Sequence, residues 1–169
     1  LLAGGARLWH LLTLVPAGAA ACIGAIVQSP YHMERLTTFM HPWRDPQGAG
    51  YHSIQSMLAF AEGGWTGSGL GGSIQKFYLP EDTTDFLFPI VAEELGLFGA
   101  ATVIALLLVI LWVGFGVIKD CRDTFSRLLG LGVLLMLGTQ AAMNIAVTTV
   151  VVPTKGIALP LLSAGGTGW

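Results

Sequence analysis

The run from Lys76 to Phe88, KFYLPEDTTDFLF, gathers the carboxylates of Glu81, Asp82 and Asp85 behind one lysine, immediately before a long apolar stretch. Asp85 stands closest to the apolar residues. An aspartate there has two readings. Its carboxylate can take part in acid–base or electrostatic chemistry, as ionisable groups in clefts do, or it can cap the helix that would begin at Thr84-Asp85, since aspartate is a favoured N-cap. Residue type alone leaves both open.

Other residues with chemical potential point to less. Gly67-Ser68-Gly69-Leu70-Gly71-Gly72 matches G-x-G-x-x-G, yet no β-strand precedes it and no βαβ unit surrounds it, so a dinucleotide site is not supported. These glycines instead let the backbone turn tightly and approach another surface closely. His32, His41 and His52 are scattered without a metal-binding spacing, and His10 lies near an apolar run elsewhere, so each reads as a surface or interfacial histidine. Cys22 and Cys121 form neither a CxxC nor a zinc motif.

The elements that must position these residues belong in a bilayer. Hydrophobic residues make up 53% of the chain and charged residues 11%, about half the charge density of a soluble domain. The net charge of −2 offers no basic field for phosphates, which sets nucleic acid aside as a partner. Three runs free of formal charge, about 8–27, 95–118 and 128–152, are each long enough to cross a hydrocarbon core, which takes roughly 20 helical residues. Pro16 in the first is tolerable as a kink. The expected fold class is therefore an all-α integral membrane protein with three transmembrane helices and a long extracellular loop, 28–94, containing short helices. The second helix is expected to start near 86 and run unbroken to about Ile118, longer than the core is thick. Its first turns, with Glu93 and Glu94, should project into the headgroup layer or pack inside a protein cavity.

Gln140, Asn144 and Thr148 recur every four residues on the third run, a spacing that suits hydrogen bonding between helices or contact with a substrate. That helix should stop at Pro153, leaving 153–169 as a re-entrant or turn segment that protein must cover or that lines a cavity. The short connection Lys119 to Arg127 holds three basic residues and is placed in the cytoplasm, which puts the 28–94 loop and Lys155 outside. Because the chain opens on Leu1-Leu2 rather than Met, it reads as a piece of a longer protein.

The elements Asp45-Pro46-Gln47-Gly48-Ala49-Gly50-Tyr51-His52-Ser53-Ile54-Gln55-Ser56, Gly69-Leu70-Gly71-Gly72-Ser73-Ile74-Gln75-Lys76, Tyr78-Leu79-Pro80-Glu81, Thr84-Asp85-Phe86 and Ala92-Glu93-Glu94-Leu95-Gly96 follow one another in an order and spacing that resemble a known loop. That loop is the large extracellular one of the SEDS (shape, elongation, division and sporulation) family, of FtsW, RodA and SpoVE type. The resemblance continues through Gln140-Ala141, Asn144-Ile145, Pro153-Thr154-Lys155-Gly156, Leu159-Pro160 and Ser163-Ala164-Gly165-Gly166, and so covers nearly all of the chain from Arg35 onward. Gln75-Lys76 and Pro153-Thr154-Lys155-Gly156 look more like the FtsW branch than the RodA branch. The chain departs from the family in having Thr83 where histidine is usual, Ala164 where tyrosine is usual, and one residue fewer between Lys76 and Tyr78 than many members.

The resemblance implies the C-terminal part of a polytopic peptidoglycan glycosyltransferase that polymerises lipid II during cell division. It implies a class B penicillin-binding protein transpeptidase and other division proteins as partners, and the bacterial inner membrane at the division septum as location. It assigns Asp85 to the family's essential acidic position. The reaction needs a base for an acceptor sugar hydroxyl and positive charge for a leaving diphosphate. Asp85 is then the expected base. Lys155, Lys76 and Arg35 are expected to meet the diphosphate, alone or alongside a divalent cation, Mg or Mn, with no organic cofactor. Glu81 and Ser163, inside the matching elements, complete the expected substrate-binding set. Two other classes stay open: a lipid II flippase or transporter, which should carry ionisable groups along its spans, and a noncatalytic division scaffold.

Overall fold

The computed structural model describes residues 37–48, 50–75, 85–153 and 156–163, together with 16, 18, 20, 21 and 24. The expected span at 8–27 lies almost wholly outside the described residues, and its five described positions are helical. A 3-10 turn, Pro42–Arg44, leads into helix α1 (Tyr51–Gly63), followed by α2 (Leu87–Asp120) and α3 (Thr124–Thr148). No β-strand occurs among the described residues.

Helix α2 forms because its sequence contains nothing to stop it: Pro89 falls in the first turn, where a missing N–H breaks no helical bond, and the rest is dominated by aliphatic residues. Apolar side chains cover most sides of it. Trp112 is 76% exposed, and Phe98, Leu106, Leu108 and Val117 are exposed as well. Exposure of this kind over two helices long and apolar enough to span a bilayer identifies a lipid-facing surface. The described residues therefore form part of an all-α membrane protein.

The expected unbroken helix is interrupted. Gly96 has φ 67° and ψ −164°, a conformation open in practice to glycine alone. The cause is a loop inserted into the helical ladder. Leu97 N–H donates to Gly64 O at 3.0 Å, while Glu93 O and Glu94 O accept from Ser68 N–H and Gly69 N–H at 2.9 and 3.0 Å. The loop thus supplies bonds that the helix gives up at the break. A Cβ on Gly96 would fall 2.5 Å from Gly67 N and Trp65 O, so the close approach excludes any other residue. Beyond the break, about 24 residues remain to cross the membrane, roughly 36 Å of helix against a core of about 30 Å.

Asp123 caps α3, its carboxylate accepting from Ser126 N–H and Oγ, both at 2.9 Å. Helices α2 and α3 pack antiparallel, with Leu111 over Gly138, Leu134 over Gly114 and Ile118 over Gly130, so that large side chains of one helix rest on bare backbone of the other. The third span ends at Thr148, not at Val152 as the proline had suggested. Val150 N–H bonds Val147 O at 3.0 Å and Val151 N–H bonds Ala146 O at 2.8 Å, the paired bonds that close a helix through a left-handed residue. Val150 occupies that position with φ 58°, unusual for a β-branched side chain. The chain therefore turns back before Pro153. Phe88, Ala92, Ala100, Leu107, Ala141 and Leu159 form the core, joining α2, α3 and the returning segment, with Phe60 of α1 packed against it.

Candidate functional site

The N-cap of α2 is Phe86, so Asp85 sits one residue outside the capping position, and of the two readings its type left open the cap is the one not adopted. Phe86 is buried and stacks on His52 of α1, with ring centroids 5.1 Å apart and planes 12° from parallel. This stack sets the entry to α2. Asp85 itself is half-buried.

Two contacts define its surroundings. Its carbonyl oxygen accepts from Asn144 Nδ2 at 2.8 Å, and the same nitrogen donates to Ile157 O at 2.5 Å. Its carboxylate lies against Gly156, where an added Cβ would come 2.5 Å from Oδ2. Gln140, one turn before Asn144, donates to Ala158 O at 3.0 Å. The polar face of α3 therefore grips irregular backbone, the re-entrant segment and the approach to α2. Among the described residues it is not the helix-to-helix glue that the four-residue spacing suggested. Thr148 turns inward to its own helix, its hydroxyl donating to Asn144 O and Ile145 O. The requirement that non-helical backbone in a bilayer be satisfied by protein is met here by Gln140 and Asn144.

Of the expected substrate-binding residues, Ser163 closes the described part of the re-entrant segment, with its N–H on Leu159 O at 3.1 Å. Lys155, Lys76, Arg35 and Glu81 lie outside the described residues, as do the departures at Thr83 and Ala164. Among the described residues no three His, Cys, Asp or Glu gather to hold a metal ion.

Glu93, which was not among the candidate site residues, is nearly fully buried. Its carboxylate accepts from Ser73 Oγ at 2.5 Å, Ile74 N–H at 2.7 Å and Gln75 N–H at 3.3 Å, while its carbonyl takes Ser68 Oγ at 3.1 Å. It takes the protein cavity rather than the headgroup layer, the second of the two settings open to it. The glycine loop is thus fastened to α2 at the residues that open the helix; Gly67 is its close-approach residue, a Cβ there falling on Glu94 O, whereas Gly69 and Gly71 face open space and supply positive φ. His41 is exposed and His52 interfacial, as residue type suggested. A glutamate pair within an apolar helix was the available signal for Glu93, because an ionisable group there must find partners.

The family described as "Cell cycle protein" (FTSW_RODA_SPOVE) matches residues 1–169. "Probable peptidoglycan glycosyltransferase FtsW" of Nitrosococcus halophilus (strain Nc4) is 49% identical over 168 residues, covering 96% of this chain and 43% of the relative. "Stage V sporulation protein E" of Bacillus subtilis (strain 168) is 41% identical over 163 residues, covering 96% of this chain and 44% of the relative. A chain from a solved peptidoglycan synthase complex, described for its coordination of polymerization and crosslinking, superposes with a TM-score of 0.70 at 30% identity, covering 94% of this chain and 44% of that one. The chain thus spans less than half the length of the relatives it matches. With an all-helical, lipid-exposed architecture and a match over its whole length, the chain belongs to the FtsW/RodA/SpoVE family of cell cycle proteins.

Proposed function

We propose that this chain is part of a peptidoglycan glycosyltransferase that polymerises lipid II during cell division, with Asp85 as its general base. The observation that carries the reading is the placement of Asp85. Its carboxylate sits at the end of an apolar helix, against the glycine of a re-entrant segment, where a lipid-anchored substrate would present its headgroup. Relatives bearing the glycosyltransferase name support it. In the reaction the acceptor sugar hydroxyl loses its proton to the Asp85 carboxylate, and its oxygen forms a bond to the anomeric carbon of the donor. The bond from that carbon to the diphosphate breaks, and the electron pair leaves with the polyprenyl diphosphate. Lys155, Lys76 and Arg35 supply positive charge to this leaving group, and Glu81 and Ser163 contact the sugars. A class B penicillin-binding protein transpeptidase is the partner, and the protein works in the inner membrane at the septum with the 28–94 loop facing outward.

The test is lipid II polymerisation by the full-length protein with its partner transpeptidase. Asp85→Asn keeps the side chain's size but cannot take a proton, and should lower the rate by roughly 10² to 10⁴ with folding retained. A folded Asp85→Asn protein that polymerises at the parental rate would overturn the assignment. If lipid II were flipped but never polymerised by the parent, the transporter reading would replace it; if neither, the scaffold reading would.

A further inference from the structure

We propose that Asn144 is a positioning residue for this site: its side-chain amide clamps the approach to α2 onto the re-entrant segment and thereby sets where the Asp85 carboxylate stands. The inference deepens the reading above and rests on it for its catalytic consequence.

One nitrogen holds two strands of irregular backbone that are remote in sequence, Asp85 through its carbonyl at 2.8 Å and Ile157 through its carbonyl at 2.5 Å. Both hydrogens of the amide are used. Asn144 is 1% exposed, so no water competes for them. Its Oδ1 is also buried and has no hydrogen-bond partner among the described residues. The amide orientation is nevertheless determined, because turning it over would aim Oδ1 at two carbonyl oxygens and lose both bonds. A buried acceptor left unmet is uncommon and marks a site where geometry has taken precedence over pairing.

The two clamped strands meet a second time at the chemistry. Gly156, the neighbour of Ile157, leaves the space that the Asp85 carboxylate occupies. Fixing the backbone at 85 and 157 therefore fixes the carboxylate relative to the re-entrant turn. Asparagine suits this task where its isosteres do not. Aspartate in its ionised form would bring no donor and would set negative charge against two carbonyls, whereas leucine of similar volume would strand both carbonyls unpaired.

The test reads geometry and catalysis separately in the full-length protein. In a background with Cys22 and Cys121 replaced by serine, Asp85→Cys and Gly156→Cys place sulfurs within disulfide range. A Cβ at 156 lies 3.6 Å from Asp85 Cγ, the atom whose place a cysteine sulfur takes, so the two side chains are in contact. Oxidative crosslinking of this pair should be fast with Asn144 present and much slower with Asn144→Asp, while Asn144→Gln, which keeps both donors on a longer arm, should be intermediate. In the Asp85 parent, Asn144→Asp should lower kcat for lipid II polymerisation roughly ten- to a hundredfold, the scale expected of a displaced catalytic group, with KM little changed. Asn144→Gln should recover part of that loss. Should Asn144→Asp fail to fold, the Asn144→Gln pair of measurements carries the same comparison. Crosslinking as fast in either folded variant as in the parent would overturn the clamp, whatever the activity. Slowed crosslinking with undiminished kcat would leave the clamp standing but overturn its positioning role, while Asp85→Asn in the same assay decides the assignment of the base separately.

Discussion

At the Asp85 end of the α2–α3 pair, backbone groups are held by buried side chains from distant parts of the chain; at the Asp123 end, the chain caps itself with a carboxylate three residues away. Glu93 accepts from Ser73, Ile74 and Gln75, and Asn144 donates to Asp85 and Ile157. Asp123, by contrast, is fully exposed and serves only the first turn of its own helix. The difference is what the proposed role of Asp85 requires. Capping a helix needs one local residue, whereas holding a carboxylate at a fixed point beside a re-entrant turn needs a buried polar framework whose every donor and acceptor is costly to leave unmet.

The comparison would be sharpened most by showing that the two ends lie on opposite sides of the membrane, an all-or-none effect. Thr66 and Thr124 are both exposed, near the Asp85 end and the Asp123 end respectively. Single cysteines there, in a background lacking Cys22 and Cys121, should be distinguished by a membrane-impermeant thiol reagent on intact spheroplasts, with only the Thr66→Cys protein labelled. Labelling of Thr124→Cys alone would reverse the orientation and put Asp85 on the side away from the assembling wall.

A large but graded effect is expected from Glu93→Ala. It removes the carboxylate that accepts from Ser73 Oγ, Ile74 N–H and Gln75 N–H. At about 1.5–3 kcal/mol for each hydrogen bond to a charged group, and less than additive, the loop should lose roughly 3–5 kcal/mol of local stability. Limited proteolysis within residues 64–75 should accelerate accordingly, and Glu93→Gln, whose amide oxygen still accepts, should fall between the parent and Glu93→Ala. Unchanged cleavage in Glu93→Ala would mean the loop is held by its glycine contacts alone, and the contrast between the two ends would narrow.

The smallest effect belongs to Asp123. Hydrogen bonds first from Ser126 N–H and then from its hydroxyl lower the Asp123 carboxyl below the usual aspartate range. A depressed folded-state value means that the cap's contribution is present above the unfolded-state value near 3.8 and disappears as pH falls through the folded-state one. Asp123→Ala should therefore speed amide exchange at Ser126 and Arg127 modestly at neutral pH, and the two proteins should converge under strongly acidic conditions. Asp123→Asn should cap without that pH dependence. Equal exchange in parent and Asp123→Ala at neutral pH would show that even this local cap is dispensable.

How legible these features were depended on how local their causes are. The apolar runs announced α2 and α3, since a bilayer selects helices by length and composition. The glycine loop was readable as a close-approach segment, though not what it approaches. The break at Gly96 was missed, because it arises from a loop some thirty residues earlier replacing the helix's own hydrogen bonds. The end of α3 was placed four residues late. Pro153 is a visible stop signal, but the turn forms first at Val150, a residue whose type argues against a left-handed conformation.

The amino-acid sequence by itself determined the solvent this protein lives in, the existence and approximate extent of the α2 and α3 spans, and the motif series that marks its family, because each of these rests on residue types at short range. Asp85 was already the carboxylate of interest. Only the tertiary structure decided that it stands outside the cap position, that Gly156 makes room for it, and that Glu93 and Asn144 hold the flanking loops by opposite means, one accepting and the other donating. Periodicity can place three polar residues on one face of a helix, but it cannot say whether that face meets another helix, a substrate or a carbonyl oxygen. That choice belongs to whichever unpaired backbone group the folded chain brings within hydrogen-bonding distance, where leaving it unmet in an apolar surrounding would cost too much.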